Sequence, residues 1–148
     1  MNAIIEKVSL CGLLHDLGKI VLLSVDLDVT QWIAKLVSDR RIRTSTVMEE
    51  ISIGISHSGI GELIASKWQL PEYLIEAIQH HHAPLSADSR FKDIVFITYL
   101  ANLLCGIESR RYFYYYCDDE VSRYFTLQSK SDFENLGKLC QDIYNKLK

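Results

Sequence analysis

Proline is scarce and glycine ordinary: two prolines, Pro71 and Pro84, and seven glycines stand among 148 residues. So little punctuation excludes a collagen-like or low-complexity chain and leaves room for long helices. The four cysteines, Cys11, Cys105, Cys117 and Cys140, form no Cys-x-x-Cys pair. A disulfide framework is thereby disfavoured. The expectation is a reduced, cytoplasmic protein whose thiols act as small hydrophobes within helices. No apolar run approaches the ~20 residues of a membrane span. Glu6 and Lys7 interrupt the N-terminal stretch where a secretory signal needs an unbroken apolar core. Charge of one sign is missing too: 16 Lys and Arg face 19 Asp and Glu, a net charge of −3. That balance gives no global attraction to nucleic acid or to a membrane surface. Histidine is the last scarcity, with five in the whole chain, all within three clusters.

What is present is an ordinary globular composition, 48% apolar and 24% charged, in a length that suits one domain over residues 1–148. The apolar residues recur at helical spacing. Ile4, Ile5, Val8, Cys11 and Leu14 predict a helix over about 3–15, and Ile20 to Leu23 a short one after it. Asp28 or Thr30 can cap a helix through Trp32, Ile33, Leu36 and Val37. Thr44 to Ile53 reads as another. Ser56 or Ser58 can cap a helix to about Trp68, with Ile60, Leu63, Ile64 and Trp68 as its apolar face. Pro71 suits the first turn of a helix through Leu74, Ile75 and Ile78 to His80. Residues 83–90 read as a loop, and residues 91–106, apolar nearly all round, as a central helix. The aromatic run Tyr112 to Cys117 is the one candidate strand. From Ser131 the chain is an amphipathic helix with Phe133, Leu136, Leu139, Cys140, Ile143 and Leu147 on one side. The fold class is all-α, a bundle of about six to eight helices.

The histidines carry the chemistry. His15 is followed by Asp16, His57 follows Gly54-Ile55-Ser56, and His80-His81-His82 ends a helix. Imidazole and carboxylate are the ligands of a divalent transition ion. Neighbouring helical residues point about 100° apart. An adjacent His-Asp pair therefore converges on one ion only at a helix end, and Leu17-Gly18 supplies that break. Each piece has a plainer reading alone. His57 can be a satisfied helix-end residue, the triplet a solvated C-terminus favoured by the dipole, Asp16 an N-cap and Lys19 a surface charge. Arg40-Arg41-Ile42-Arg43 reads as a solvated turn. Arg110-Arg111 beside the tyrosines has the look of a single-strand platform, but aromatics packed under the C-terminal helix are the simpler account.

These residues resemble a known family. Leu13-Leu14-His15-Asp16-Leu17-Gly18-Lys19 is similar to the signature of the HD superfamily of metal-dependent phosphohydrolases. Four further segments narrow the resemblance to the HDOD domain, the HD-related output domain of bacterial signalling proteins. They are Glu49 with Gly54 to Gly61, Lys67-Trp68-Gln69-Leu70-Pro71, Ala77-Ile78 leading into His81-His82-Ala83-Pro84, and Val95 to Leu104. The resemblance runs over roughly residues 8–145 and implies an orthogonal HD-like helical bundle. It also implies a metal set of His15, Asp16, His57, His81 and His82, with Asn102 in the place of the closing aspartate. Catalysis, if retained, would rest on Asp16 and Lys19. Two departures stand out. No histidine precedes position 15, as though the usual N-terminal half of the domain were missing, and Asn102 is a neutral, weaker ligand.

The function implied first is a regulatory output module that acts through protein contacts or a ligand at the old metal site. Its partner would be a signalling protein or a second copy of the chain, burying the surface that the missing half would cover. The alternative is a phosphohydrolase or phosphodiesterase using Fe, Mn, Ni, Zn or Mg, with a nucleotide as ligand or substrate. The Gly-Tyr-Pro segment of cyclic-di-GMP phosphodiesterases is absent, since Ala83-Pro84-Leu85 follows His82. A third reading rests on Ile97 to Asn102 and Gly106 to Arg111. Both segments also resemble the end of the HD nuclease domain in the large subunit of type III CRISPR complexes.

Overall fold

The computed structural model describes residues 2–25, 27–40, 42 and 44–146, and within them every regular element is helical. Among the described residues nine α-helices run in order: α1 Asn2–Leu14, α2 Leu17–Val25, α3 Leu27–Arg40, α4 Thr46–Ile53, α5 His57–Lys67, α6 Glu72–His80, α7 Lys92–Glu108, α8 Asp119–Tyr124 and α9 Lys130–Lys146. Local chemistry sets several boundaries. α4 stops at Gly54, whose φ of 90° is left-handed backbone open to glycine. Ser56 caps α5 by accepting the Gly59 N–H. Pro71 stands immediately before α6, where its missing N–H costs nothing. No described helix is long and apolar enough to cross a membrane.

α7 is the axis of the bundle because it joins two cores. On one side Phe96, Tyr99, Leu100 and Leu103 pack with Val121, Leu127 and Phe133 from α8, α9 and the turn between them. On the other, Ile94 joins Cys11 of α1, Ala65 of α5, and Leu74, Ala77 and Ile78 of α6. A helix that feeds both cores must be apolar nearly all round, as its sequence is. Each of these large side chains contributes about 1.5–3 kcal/mol on burial.

α2 meets α5 by a different device. A Cβ on Gly18 would lie 1.8 Å from the His57 carbonyl oxygen and 2.8 Å from the Gly61 nitrogen. The two backbones touch, and only glycine lets them. α5 accordingly buries His57, Ser58, Gly61 and Ala65. That corrects the apolar face expected from its sequence, because Leu63 and Trp68 are 58% and 62% exposed. Small residues carry no hydrophobic signal, so close backbone packing overrides the pattern.

Other expectations change for similar reasons. Residues 114–116 form a 3₁₀ turn instead of a strand. No described segment pairs with them, and the rings pack on one another and on Phe133. The aromatics therefore do sit against the C-terminal helix. Residues 83–90 are two 3₁₀ turns around short extended links, and the short α8 has no counterpart in the sequence pattern. In α9 Phe133 is buried, but Leu139 and Ile143 are about half exposed. Among the cysteines Cys11 alone is fully buried, and all four are free thiols. Arg41 and Arg43 of the basic segment, Leu147 of the apolar side expected for the last helix, and Met1 lie outside the described residues.

Candidate metal centre

Three helix junctions supply the centre. His15 and Asp16 are the two-residue turn between α1 and α2, so neighbouring side chains can converge as helical ones cannot. His57 opens α5, and His81 and His82 form the turn after α6. The Gly18–Gly61 crossing brings the first junction onto the second, and α5 packs along α6 to bring the third. One ligand atom each from Asp16, His57, His81 and His82 falls within 4.8 Å of all the others.

The orientation of the rings is informative. His15 Nδ1–H donates to the Gly12 carbonyl at 2.8 Å, His57 Nδ1–H to Glu49 Oε2 at 2.7 Å, and His81 Nδ1–H to the Ile78 carbonyl at 2.7 Å. Each acceptor can only accept, so the proton sits on Nδ1 in all three. That leaves Nε2 as the inward atom. Backing of this kind orients histidines that ligate a metal. The Nε2 atoms of His57 and His81 are 3.3 Å apart, and those of His82 and His57 3.2 Å. Asp16 Oδ1 lies 3.4 Å from His57 Nε2 and 3.5 Å from His81 Nε2.

These spacings test the fit of an ion. Bonds of ~2.0–2.2 Å place neighbouring ligands ~3–3.5 Å apart around one metal, whether tetrahedral or octahedral. The four edges just given fall in that range, and the remaining two lie within 4.8 Å. Moreover, Asp16 Oδ1 and His15 Nε2 are buried without a hydrogen-bond partner. Buried polar atoms are normally satisfied, and a cation would satisfy both. The residues present therefore fit a divalent metal, which His57, His81, His82 and Asp16 would hold, with His15 beside Asp16 at 3.4 Å.

Burial and charge act on each member of the cluster. Burial alone would raise the Asp16 carboxyl, but His57, His81 and Lys19 hold it far below the usual carboxylate range. Burial likewise opposes ionisation of Glu49, and His57 and Ser45 overcome it. For His57 burial favours the neutral ring, yet Asp16 and Glu49 together raise its pKa. Burial drives the pKa of both His81 and His82 down, which favours the neutral ring that a metal needs, and for His81 Asp16 opposes it in part. Lys19 Nζ donates to Asp16 Oδ2 at 2.7 Å.

One expected member stands apart, as does the first histidine of the triplet. His80 lies 3.8 Å from Glu76 and is not among the clustered ligands. Asn102 is half-buried on α7 and makes no hydrogen bond to the cluster among the described residues. Conversely, the sequence marks Glu49 only as part of a motif. In the structure its Oε2 accepts both the His57 backbone N–H at 2.8 Å and the ring N–H, while Oε1 accepts from Ser45. Its place eight residues before His57 is the signal that could have found it.

An all-helical bundle holding inward histidines and an aspartate at a His-Asp turn defines the HD class of proteins. Within it, the chain belongs to the HDOD domain family, which matches residues 1–84, more than half its length. The matched segment contains every residue of the cluster and ends before Asn102. An uncharacterized protein of Treponema pallidum (strain Nichols) is 25% identical over 143 residues, 97% of this chain and 28% of that protein. The fold also resembles the crystal structure, at 1.62 Å, of a protein from Shewanella amazonensis SB2B provisionally named a phosphohydrolase. There the TM-score is 0.62 and the identity 21%, over 90% of this chain and 45% of the other. The chain thus spans just over a quarter of the one and under half of the other.

Proposed function

We propose that this chain is the metal-holding part of an HDOD-type signalling module, in which a divalent ion at the His/Asp centre fixes the junctions of α1–α2, α4–α5 and α6–α7. The carrying observation is the inward convergence of the Nε2 atoms of His57, His81 and His82 on Asp16 Oδ1, which has no hydrogen-bond partner. Output would pass through contact with a signalling protein or a second copy. Exposed Leu13, Ile20, Ile51 and Leu63, each more than half exposed, support a role in protein contact. Metal analysis of purified protein tests the reading. About one equivalent of Fe, Mn, Ni or Zn, lost in Asp16→Ala, is expected, and metal-free wild-type protein with no uptake on titration would refute it.

A second reading is a phosphohydrolase or phosphodiesterase of nucleotides. It is favoured by Lys19, which stands beside Asp16 and also lines an open cleft. A bound ion would supply a water acidified towards neutrality. Asp16 would orient that water and Lys19 would meet phosphate charge. Turnover of bis-p-nitrophenyl phosphate that disappears in Asp16→Ala would establish this reading, and none with any supplied ion would exclude it.

A further inference from the structure

A cleft of about 400 Å³ opens beside the centre, between α2, α3 and the turn after α7. Its size is that of a small-molecule site. Its wall is mainly aliphatic, with Leu22, Leu23, Ile33, Val37 and Ile42 beside the Tyr112 ring. His82 and Glu49 of the centre also line it, as do Lys19, Arg110 and Arg111.

The arginines are held there by a strained turn. Arg110 has φ of 58°, left-handed backbone that an L-residue with a side chain adopts at a cost of roughly 1–2 kcal/mol. The Arg110 N–H donates to the Ile107 carbonyl, and the N–H groups of Arg111 and Tyr112 both donate to the Gly106 carbonyl. A Cβ on Gly106 would lie 1.8 Å from the Tyr112 ring, so the ring sits on bare backbone and locks the turn. Arg111 Nε donates to Ser109 Oγ at 2.9 Å. Neither arginine pairs with a carboxylate among the described residues, in a chain whose net charge is −3. Unspent guanidinium groups on a fixed turn are anion receptors.

The polar groups of the wall indicate what body accompanies the anion. Thr30 Oγ1 already donates to the Leu22 carbonyl, and Ser45 Oγ to Glu49. Ser38 is the hydroxyl left without an internal bond among the described residues. A nucleobase would set several ring and exocyclic polar atoms against the aliphatic part of this wall, at a cost of about 1–3 kcal/mol for each atom left unpaired. An alkyl chain has no such cost.

We propose that this cleft binds an organic phosphate with an aliphatic body, its head held by Arg110, Arg111 and Lys19 and its chain laid along α2 and α3. The assignment goes beyond the metal centre and does not require an ion there. Calorimetric titration of the full chain, as purified and again after chelation, tests it with four probes: decyl phosphate below its aggregation threshold, decanol, AMP and inorganic phosphate. Decyl phosphate is expected to bind at least tenfold tighter than each of the other three. The double variant Arg110→Gln/Arg111→Gln should lose at least tenfold in decyl phosphate affinity with an unchanged melting curve, and Val37→Glu in the wall should lose at least as much. AMP matching decyl phosphate would overturn the aliphatic body. Decanol matching it, or an unaffected double variant, would overturn the cationic head site. Binding lost on chelation alone would assign the head to the ion and overturn the role of the arginines, whereas binding kept by metal-free protein would stand even if the metal reading failed.

Discussion

Gly18→Ala adds one methyl group at the place where α2 touches α5. The new carbon would stand 1.8 Å from the His57 carbonyl oxygen and 2.8 Å from both the Gly61 nitrogen and the His57 carbonyl carbon. All three atoms are backbone, so no rotamer change relieves the contact. The helices must part by more than about 1 Å, and overpacking of that kind costs at least about 3 kcal/mol, the upper end of its usual range. For a chain of this length that is a fall in Tm of roughly 6–12 °C. The displacement also carries Asp16, two residues away, off the 3.4 and 3.5 Å contacts with His57 and His81. Metal affinity should therefore fall at least tenfold along with stability. Urea unfolding followed by circular dichroism measures the first, and chelator competition the second. Gly12→Ala is the control: nothing lies within 4 Å of the place its methyl group would take on α1, and helix propensity alone should stabilise by about 0.5–1 kcal/mol. A Gly18→Ala protein with wild-type stability and wild-type metal content would show that the glycine crossing does not assemble the site.

Glu49→Gln keeps the shape of the His57 support but removes its charge, and a 10–100-fold loss of metal affinity is expected in chelator competition, as for other groups that back a ligating histidine; unchanged affinity would refute the support role. Chelation should lower the Tm of the wild type and leave Asp16→Ala unmoved, because an ion that binds only the folded state stabilises it by mass action. Gly54→Ala meets no neighbour within 4 Å but holds φ of 90°, so a loss of about 1–2 kcal/mol is expected in urea unfolding from backbone strain alone. Burial, only partly offset by Thr98, pushes the Cys11 thiol up to about 11. At pH 8 a disulfide reagent should modify the exposed Cys105 and Cys140 while Cys11 stays silent until the protein is unfolded.

Much of the site is legible in the sequence because its chemistry is concentrated in rare residues at helix ends. His15-Asp16 stands before a glycine, His57 after a serine cap and His81-His82 before a proline, and the structure gathers all of them. What escapes is whatever depends on contact instead of composition. The buried face of α5 is made of His57, Gly61 and Ala65, which a hydrophobic pattern does not register. Glu49 looks like any carboxylate on a short helix until α5 is docked above it. Arg110 and Arg111 become part of a cleft only through α2 and α3, which lie far from them in sequence. The tyrosine run meets the propensity for a strand but has no partner strand to pair with among the described residues.

The spread of the ligands along the chain has a consequence for how the molecule is tied together. α5 and α6 follow one another and pack closely, so His57 and His82, 25 residues apart, meet across one short loop. Asp16 belongs to an earlier helix junction and reaches them through the contact of Gly18 with Gly61. An ion held by all four would therefore cross-link α1 and α2 to α5 and α6, and closing a loop of that length favours the folded state by restricting the unfolded one.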